Sequence, residues 1–177
     1  INEHRDSERQ KAFQGYLLGN ATLAVDSERA LDFRTLSYEP SWLYNGTHKF
    51  KKHYYGARPG ELEWGTTGGR LKEEFQCAQF LDDHPQVEYW VRNLARKPGS
   101  FRLLTPEGWF YPDFVVRLKD GRILAVEYKG AYLMEGAKDK LAVGAAWAER
   151  SAGRCVFLMP TDGDFSVIAR AIGNQAA

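Results

Sequence analysis

Apolar residues crowd two short runs in the second half of the chain, Phe114-Val115-Val116 with Leu118, and Ile123-Leu124-Ala125-Val126, separated by Lys119-Asp120-Gly121. β-Branched and aromatic residues on both sides of an Asp-Gly pair predict a β-hairpin across 111–130. Upstream, Leu71, Phe75, Ala78 and Leu81, with Cys77, recur at helical spacing and predict a helix from about Arg70 to Asp83. Asp82 and Asp83, before His84-Pro85, look like its termination. Val87, Tyr89 and Val91 alternate with Glu88, Trp90 and Arg92, which predicts a strand over Gln86 to Leu94. Another strand is expected from Phe101 to Leu104, with a turn at 105–108 and Trp109 opening the hairpin. Downstream, Gly136 to about Ser151 reads as a helix burying Leu141, Ala145 and Ala148, with small residues around Gly144 letting it lie close on a sheet. Arg154 to Met159 reads as a buried strand, parallel to its neighbour by the crossover rule. Asp164 to Ile172 closes the chain as a helix.

The front third is less regular. Residues 2–18 suggest a helix stopped by Gly19 and Asn20, Thr22 to Val25 a strand, and 31–38 and 47–55 two more, with Pro40 and Asn45-Gly46 as breakers. Five glycines and one proline between Gly56 and Gly69 make a loop or linker. The expected division is therefore an N-terminal α+β extension over 1–66, packed on or linked to a core over 67–177.

The hairpin turn decides which side chains meet. A two-residue Asp120-Gly121 loop would face Lys119 with Arg122 and set Asp113 opposite Tyr128. A three-residue loop, a type I turn followed by Gly121 in the left-handed conformation, would face Leu118 with Arg122 and set Asp113 opposite Glu127. The second is the expectation here. It brings the two Cβ atoms to about 5 Å, and strand alternation puts Lys129 on the same face as Glu127.

Composition narrows the chemistry. At 177 residues the chain is long enough for one domain with a single good core. It opens on Ile1 rather than Met, which suggests an excised fragment or a processed start. No apolar run approaches a membrane span and no signal-peptide pattern is visible, so a soluble, cytoplasmic protein is expected. Cys77 and Cys155 sit in apolar segments and read as buried thiols. The four histidines make no pair at ligand spacing, so a zinc site is not expected. A net charge of +1 offers no global attraction for nucleic acid, and any such attraction must be local. Lys49-Phe50-Lys51-Lys52-His53-Tyr54-Tyr55 interleaves cations and rings, which suits either a phosphate-holding, base-stacking surface or an edge strand guarded by lysines.

Two facing carboxylates repel unless a cation lies between them or one is protonated. An all-oxygen donor set suits Mg²⁺ or Mn²⁺, and an ammonium beside it can orient or help deprotonate a metal-bound water attacking phosphorus. Glu-x-Lys alone is common, and acids on a hairpin usually form a solvated face. Here, however, the charges interrupt strands that are apolar on both sides, where an unpaired charge is costly to bury.

Pro112-Asp113, followed on the next strand by Glu127-Tyr128-Lys129, resembles the signature of the PD-(D/E)xK nuclease superfamily. Between Lys72 and about Pro160, the segments Glu73-Glu74-Phe75-Gln76-Cys77-Ala78, Trp90-Val91-Arg92-Asn93-Leu94, Phe110-Tyr111-Pro112-Asp113-Phe114 and Val126-Glu127-Tyr128-Lys129-Gly130 more closely resemble the C-terminal endonuclease domain of type III restriction enzyme Res subunits and related helicase-nucleases. The likeness covers about half the chain. It implies an α/β fold with a restriction-endonuclease-like core, in the order αβββαβ, and a mixed central sheet flanked by helices. It implies a Mg²⁺-dependent (or Mn²⁺-dependent) DNA endonuclease in which Asp113, Glu127 and the Tyr128 carbonyl hold the ion and Lys129 positions the water, with in-line attack leaving a 5′-phosphate and a 3′-hydroxyl. By residue pattern alone Glu74 is a stripe-edge residue reaching water. The resemblance makes it the first-helix acid that completes the ion's shell, with Glu73 as the fallback.

Arg92, Lys138 and Lys140 are the candidate nucleic-acid contacts, against the plainer reading of solvated cations. There is no Gly-x-x-x-x-Gly-Lys-Ser/Thr loop, so neither ATP hydrolysis nor translocation is expected. Target choice would come from an upstream helicase or ATPase region or from a methyltransferase subunit. The rival readings are an inactive nucleic-acid- or partner-binding module on the same fold, and a structural module in which Asp113 and Lys129 form a salt bridge.

Overall fold

The computed structural model describes residues 15, 37–130 and 137–173. The elements expected over 2–18 and 22–25, and most of that over 31–38, lie outside the described residues. The fold is α/β, built on a mixed four-stranded sheet flanked by helices. Its strands are β3 (Val87–Arg92), β6 (Phe114–Leu118), β7 (Ile123–Val126) and β8 (Cys155–Leu158), side by side in that order. β3, β6 and β7 pair antiparallel, and β8 runs parallel to β7. The helices are α1 (Glu73–Asp83), α2 (Ala137–Arg150) and α3 (Ser166–Gly173). Two short hairpins complete the set: β1 (Thr66–Thr67) with β2 (Arg70–Leu71), and β4 (Leu103–Thr105) with β5 (Gly108–Phe110).

Strand β7 is buried along its whole length, because both faces of the sheet are covered. On one side Leu124 and Val126 join Trp90, Phe114 and Val116 against Phe75, Ala78 and Leu81 of α1 and Ile168 and Ile172 of α3. On the other, Ile123 and Ala125 join Val91 and Val115 against Val143 and Trp147 of α2. Double coverage explains the near-continuous apolar runs that the sequence carries here.

Several expectations are corrected by packing. The first helix begins at Glu73, and Leu71 sits in β2, 43% exposed, outside the buried stripe. The alternation across β3 does not persist. A register shift between Val87 and Tyr89 puts Val87 and Trp90 in one core and Val91 in the other, which is what a bulge does to a strand. Trp109 does not open the long hairpin. It pairs with Leu104, and the small hairpin it belongs to stands apart from the main sheet.

Helix α2 buries Val143, Gly144 and Trp147, while Leu141 is 50% exposed. The face is set by Gly144, where any side chain would collide with the Phe157 ring. The stretch 47–55 is not a strand. It follows the edge of β3 through a bridge between His53 and Trp90 and bonds from Tyr54 N to Trp90 O and from Trp90 N to Lys52 O, both 2.9 Å. Phe50 and His53 are buried, while Lys49, Lys51 and Tyr54 face outward. From the front segment, Tyr44, Phe50 and Leu62 are buried in the same cluster as α1 and the sheet. Both cysteines are buried and free.

Candidate active site

The long hairpin turns through three residues. Gly121 N donates to Leu118 O at 3.0 Å, Leu118 N donates to Arg122 O at 2.9 Å, and Gly121 has φ +89°, the left-handed region that favours glycine. The register Phe114↔Val126 through Arg117↔Ile123 therefore carries Asp113 opposite Glu127. Val115 and Ala125, two residues inward of each acid, share the α2-side core, so both carboxylates start from the same face of the sheet.

The ladder stops there for a local reason. Antiparallel pairs alternate between hydrogen-bonded and non-bonded types, and Leu118/Arg122 is bonded, so the alternation makes Pro112/Tyr128 the bonded pair after Phe114/Val126. Proline has no N–H to give, and Pro112 O instead accepts from Asn93 Nδ2 at 2.7 Å. Tyr128 N is left to the Asp113 side chain and donates to its Oδ2 at 2.7 Å. On the far side the parallel ladder continues, with Glu127 N to Leu158 O and Lys129 N to Pro160 O, both 3.1 Å. Glu127-Tyr128-Lys129 is thus fixed in the sheet while Asp113 bridges the gap where β6 and β7 part.

A cavity of about 610 Å³ opens over this strand end, lined by Trp42, Glu61, Glu63, Lys72, Glu73, Glu74, Arg92, Asp113, Glu127, Tyr128, Lys129 and Gly130. Of the residues singled out in the sequence, it gathers Glu74 and its fallback Glu73, Asp113, Glu127, Tyr128, Lys129 and Arg92. Arg92 is turned inward with its side chain only 14% exposed, NH2 3.0 Å from Glu74 Oε2 and NH1 3.4 Å from Asp113 Oδ1. It ties the two acids together from beneath. Lys140, near the start of α2, also reaches inward, its Nζ 2.8 Å from Glu127 Oε1 and 4.6 Å from the centre of the Phe110 ring. Lys129 Nζ meets the same Glu127 oxygen at 3.1 Å. Lys138 is exposed on the helix surface.

Burial pushes the Asp113 carboxyl up to about 7. Arg92 and the Tyr128 N–H work against that shift, while Glu127 and Glu74 add to it. Burial works against the Lys129 charge, yet Glu127 holds its ammonium above the ordinary range. Tyr128 points its ring into the opposite core, and its hydroxyl accepts from Gly163 N at 3.0 Å. Burial, then a hydrogen bond with Glu73, pushes that phenol up to about 12.

Six carboxylates and three cations line the cavity, an oxygen-rich, net-negative set that fits a hard divalent ion. Among the described residues, no three His, Cys, Asp or Glu side chains form a ready ligand cluster. An ion here would rest on Asp113 and Glu127 with backbone or water oxygens, and Glu74 would have to leave Arg92 to join them.

Sequence reasoning missed three contributors. Trp42, Glu61 and Glu63 reach the cavity from the irregular front segment, which carries no periodic signal and joins the site only through tertiary contact. Asn93 also went unnoticed: buried at the end of β3, it bonds Phe101 O, Phe101 N and Pro112 O through its amide. No protein-family model, curated protein or solved structure matches this chain.

Proposed function

We propose that this chain is a Mg²⁺- or Mn²⁺-dependent endodeoxyribonuclease domain with a restriction-endonuclease-like core, the nuclease part of a type III restriction-like or helicase-nuclease protein. The observation that carries the reading is the three-residue turn, whose register sets Asp113 opposite Glu127 with Lys129 two residues on. The element order of the core, helix, three antiparallel strands, helix and parallel strand, supports it.

Asp113, Glu127 and the Tyr128 carbonyl would hold the ion, with Glu74 completing the set. Bound there, the metal would supply Lewis acidity and an activated water at neutral pH. Asp113 is suited to this role because its charge is disfavoured first by burial and then by Glu127 and Glu74, and a cation relieves that penalty. Lys129 is held charged by Glu127, so it serves as a donor that orients the attacking water and steadies phosphate charge rather than as a proton acceptor. Arg92 keeps Glu74 and Asp113 close despite their repulsion.

One observation favours a second reading. Each acid named here already faces an internal cation, Arg92, Lys129 or Lys140, as it would in an inactive binding module on the same fold. Incubation with supercoiled plasmid and Mg²⁺ or Mn²⁺ separates the two. Nicking by the wild type that falls at least 100-fold in Asp113→Ala and Lys129→Ala is expected. No nicking, or nicking that survives both substitutions, removes the catalytic assignment.

A further inference from the structure

Trp42 stands in the wall of the acidic cavity and is 45% exposed. The segment that carries it is pinned on both sides. Glu61 N donates to Trp42 O at 3.1 Å, Ser41 N donates to Glu61 Oε1 at 2.9 Å, and Leu43 and Gly60 form an antiparallel bridge. Gly60 lies so close to Pro40 that no side chain fits between them, and its N–H is held by the Tyr38 hydroxyl at 2.8 Å. Glu61 is held at φ +52°, a conformation rare for a residue with a side chain and maintained only where surrounding contacts enforce it. The outcome is a backbone fixed in place that presents an indole in the cavity wall with much of its surface in water.

The charges around it say what it can receive. Each lining cation is already engaged by a carboxylate: Lys72 by Glu63, Arg92 by Glu74 and Asp113, Lys129 by Glu127. A phosphodiester strand entering this net-negative cavity meets no uncommitted cation among the lining residues. Stacking on the ring is a contact that needs no free cation, and it is open only to a base that is not paired within a duplex. At the neighbouring residue, Lys97 Nζ hydrogen-bonds Ser41 Oγ at 3.2 Å, which brings one cation to the segment that carries the indole.

Building on the nuclease reading, we propose that Trp42 is a stacking platform for an unpaired nucleobase, so that the site takes single-stranded or locally opened DNA in preference to intact duplex. The test is equilibrium binding of a short single-stranded oligodeoxynucleotide carrying 2-aminopurine, and of the same sequence as a blunt duplex, to the full chain without divalent metal and again with Ca²⁺. Trp42→Ala is expected to weaken single-strand binding about 10- to 100-fold and to abolish the quenching of 2-aminopurine, while Trp42→Phe keeps most of both and duplex binding moves less than about twofold. Single-strand binding by Trp42→Ala within about twofold of wild type, equal losses for the two DNAs, or no binding of single strands by the wild type overturns the proposal. Plasmid cutting by the wild type keeps the tests apart: Trp42-dependent quenching in a wild type that does not cut plasmid upholds the platform and sinks the nuclease, and cutting without such quenching does the reverse.

Discussion

Asp82 and Asp113 are both aspartates withdrawn from water beside the same sheet, and they are satisfied in opposite ways. Asp82, 2% exposed, accepts Lys51 N at 2.9 Å, Lys52 N at 2.8 Å and Trp90 Nε1 at 2.9 Å. Neutral N–H dipoles solvate it as water would, and in doing so it fastens the 51–54 segment and the β3 tryptophan to the end of α1. Asp113 has one such donor, Tyr128 N, and one nearby guanidinium, but it shares its surroundings with Glu127 and Glu74. A buried acid ringed by donors is a fastening. A buried acid crowded by other acids stores unfavourable charge that an incoming cation can release.

The largest effect that separates them is on stability. Asp82→Ala strands three donors, the buried Trp90 Nε1 and the part-buried Lys51 N and Lys52 N, and since an unpaired buried donor costs on the order of 1–3 kcal/mol it is expected to cost about 3 kcal/mol in urea unfolding. Asp113→Asn is expected to be neutral or stabilising at pH 7, because it removes a charge that the site disfavours. Equal losses in the two variants would mean that Asp113 is a fastening as well, and the site argument would fail with it.

The pH dependence sharpens the same contrast. The Asp113 carboxyl is raised from 3.8 to about 7, so between those values the folded chain binds more protons than the unfolded one, and its contribution to stability falls as pH rises. His53 is opposite in sign. Burial pushes it down from 6.5 to about 4, against a hydrogen bond to Gly56 and the field of Asp82, so stability is lost as pH falls through that window. Each effect is on the order of 3 kcal/mol, and in the wild type the two largely cancel between about pH 4 and 6.5. Relative to wild type, Asp113→Asn should therefore gain stability as pH rises from 4.5 to 6.5, and His53→Gln should lose it. Parallel profiles for all three proteins would show that Asp113 feels no unusual field.

What could be read from the sequence divides along the same line. The site's centre was legible because local rules fix it: the Asp-Gly pair sets the turn, the turn sets the register, and the register sets Asp113 opposite Glu127. The parallel placement of β8 was legible for a similar reason, since one helix joins it to β7. The α2 face was not, because a single contact between Gly144 and Phe157 outweighs the apolar periodicity that favours Leu141. Asp82 read as helix punctuation because its three donors come from residues 8 to 31 positions away. Arg92 and Lys140 read as outward cations because nothing near them in the chain shows that the acids they neutralise lie behind them. The cavity's outer wall, Trp42 with Glu61 and Glu63, comes from a segment whose shape is dictated by glycine turns and tertiary contact.

The smallest effect tests whether the turn acts on the site through register alone. Gly121 sits at φ +89°, and an added Cβ would meet nothing closer than an Arg117 guanidinium nitrogen at 3.7 Å, so the strain of Gly121→Ala is conformational rather than steric. It should cost about 1 kcal/mol, with Gly121→Asn costing less because asparagine tolerates the left-handed region. The turn lies at the opposite end of the hairpin from Asp113 and Glu127. A substitution that leaves three residues in the loop should therefore leave metal-dependent cutting within about twofold of wild type at temperatures where both proteins are folded. Deleting Lys119 is the companion change: the two-residue Asp120-Gly121 loop that remains still faces Leu118 with Arg122 and keeps Asp113 opposite Glu127, so cutting should survive although the turn type changes. If either variant folds normally and fails to cut, the register does not make the site.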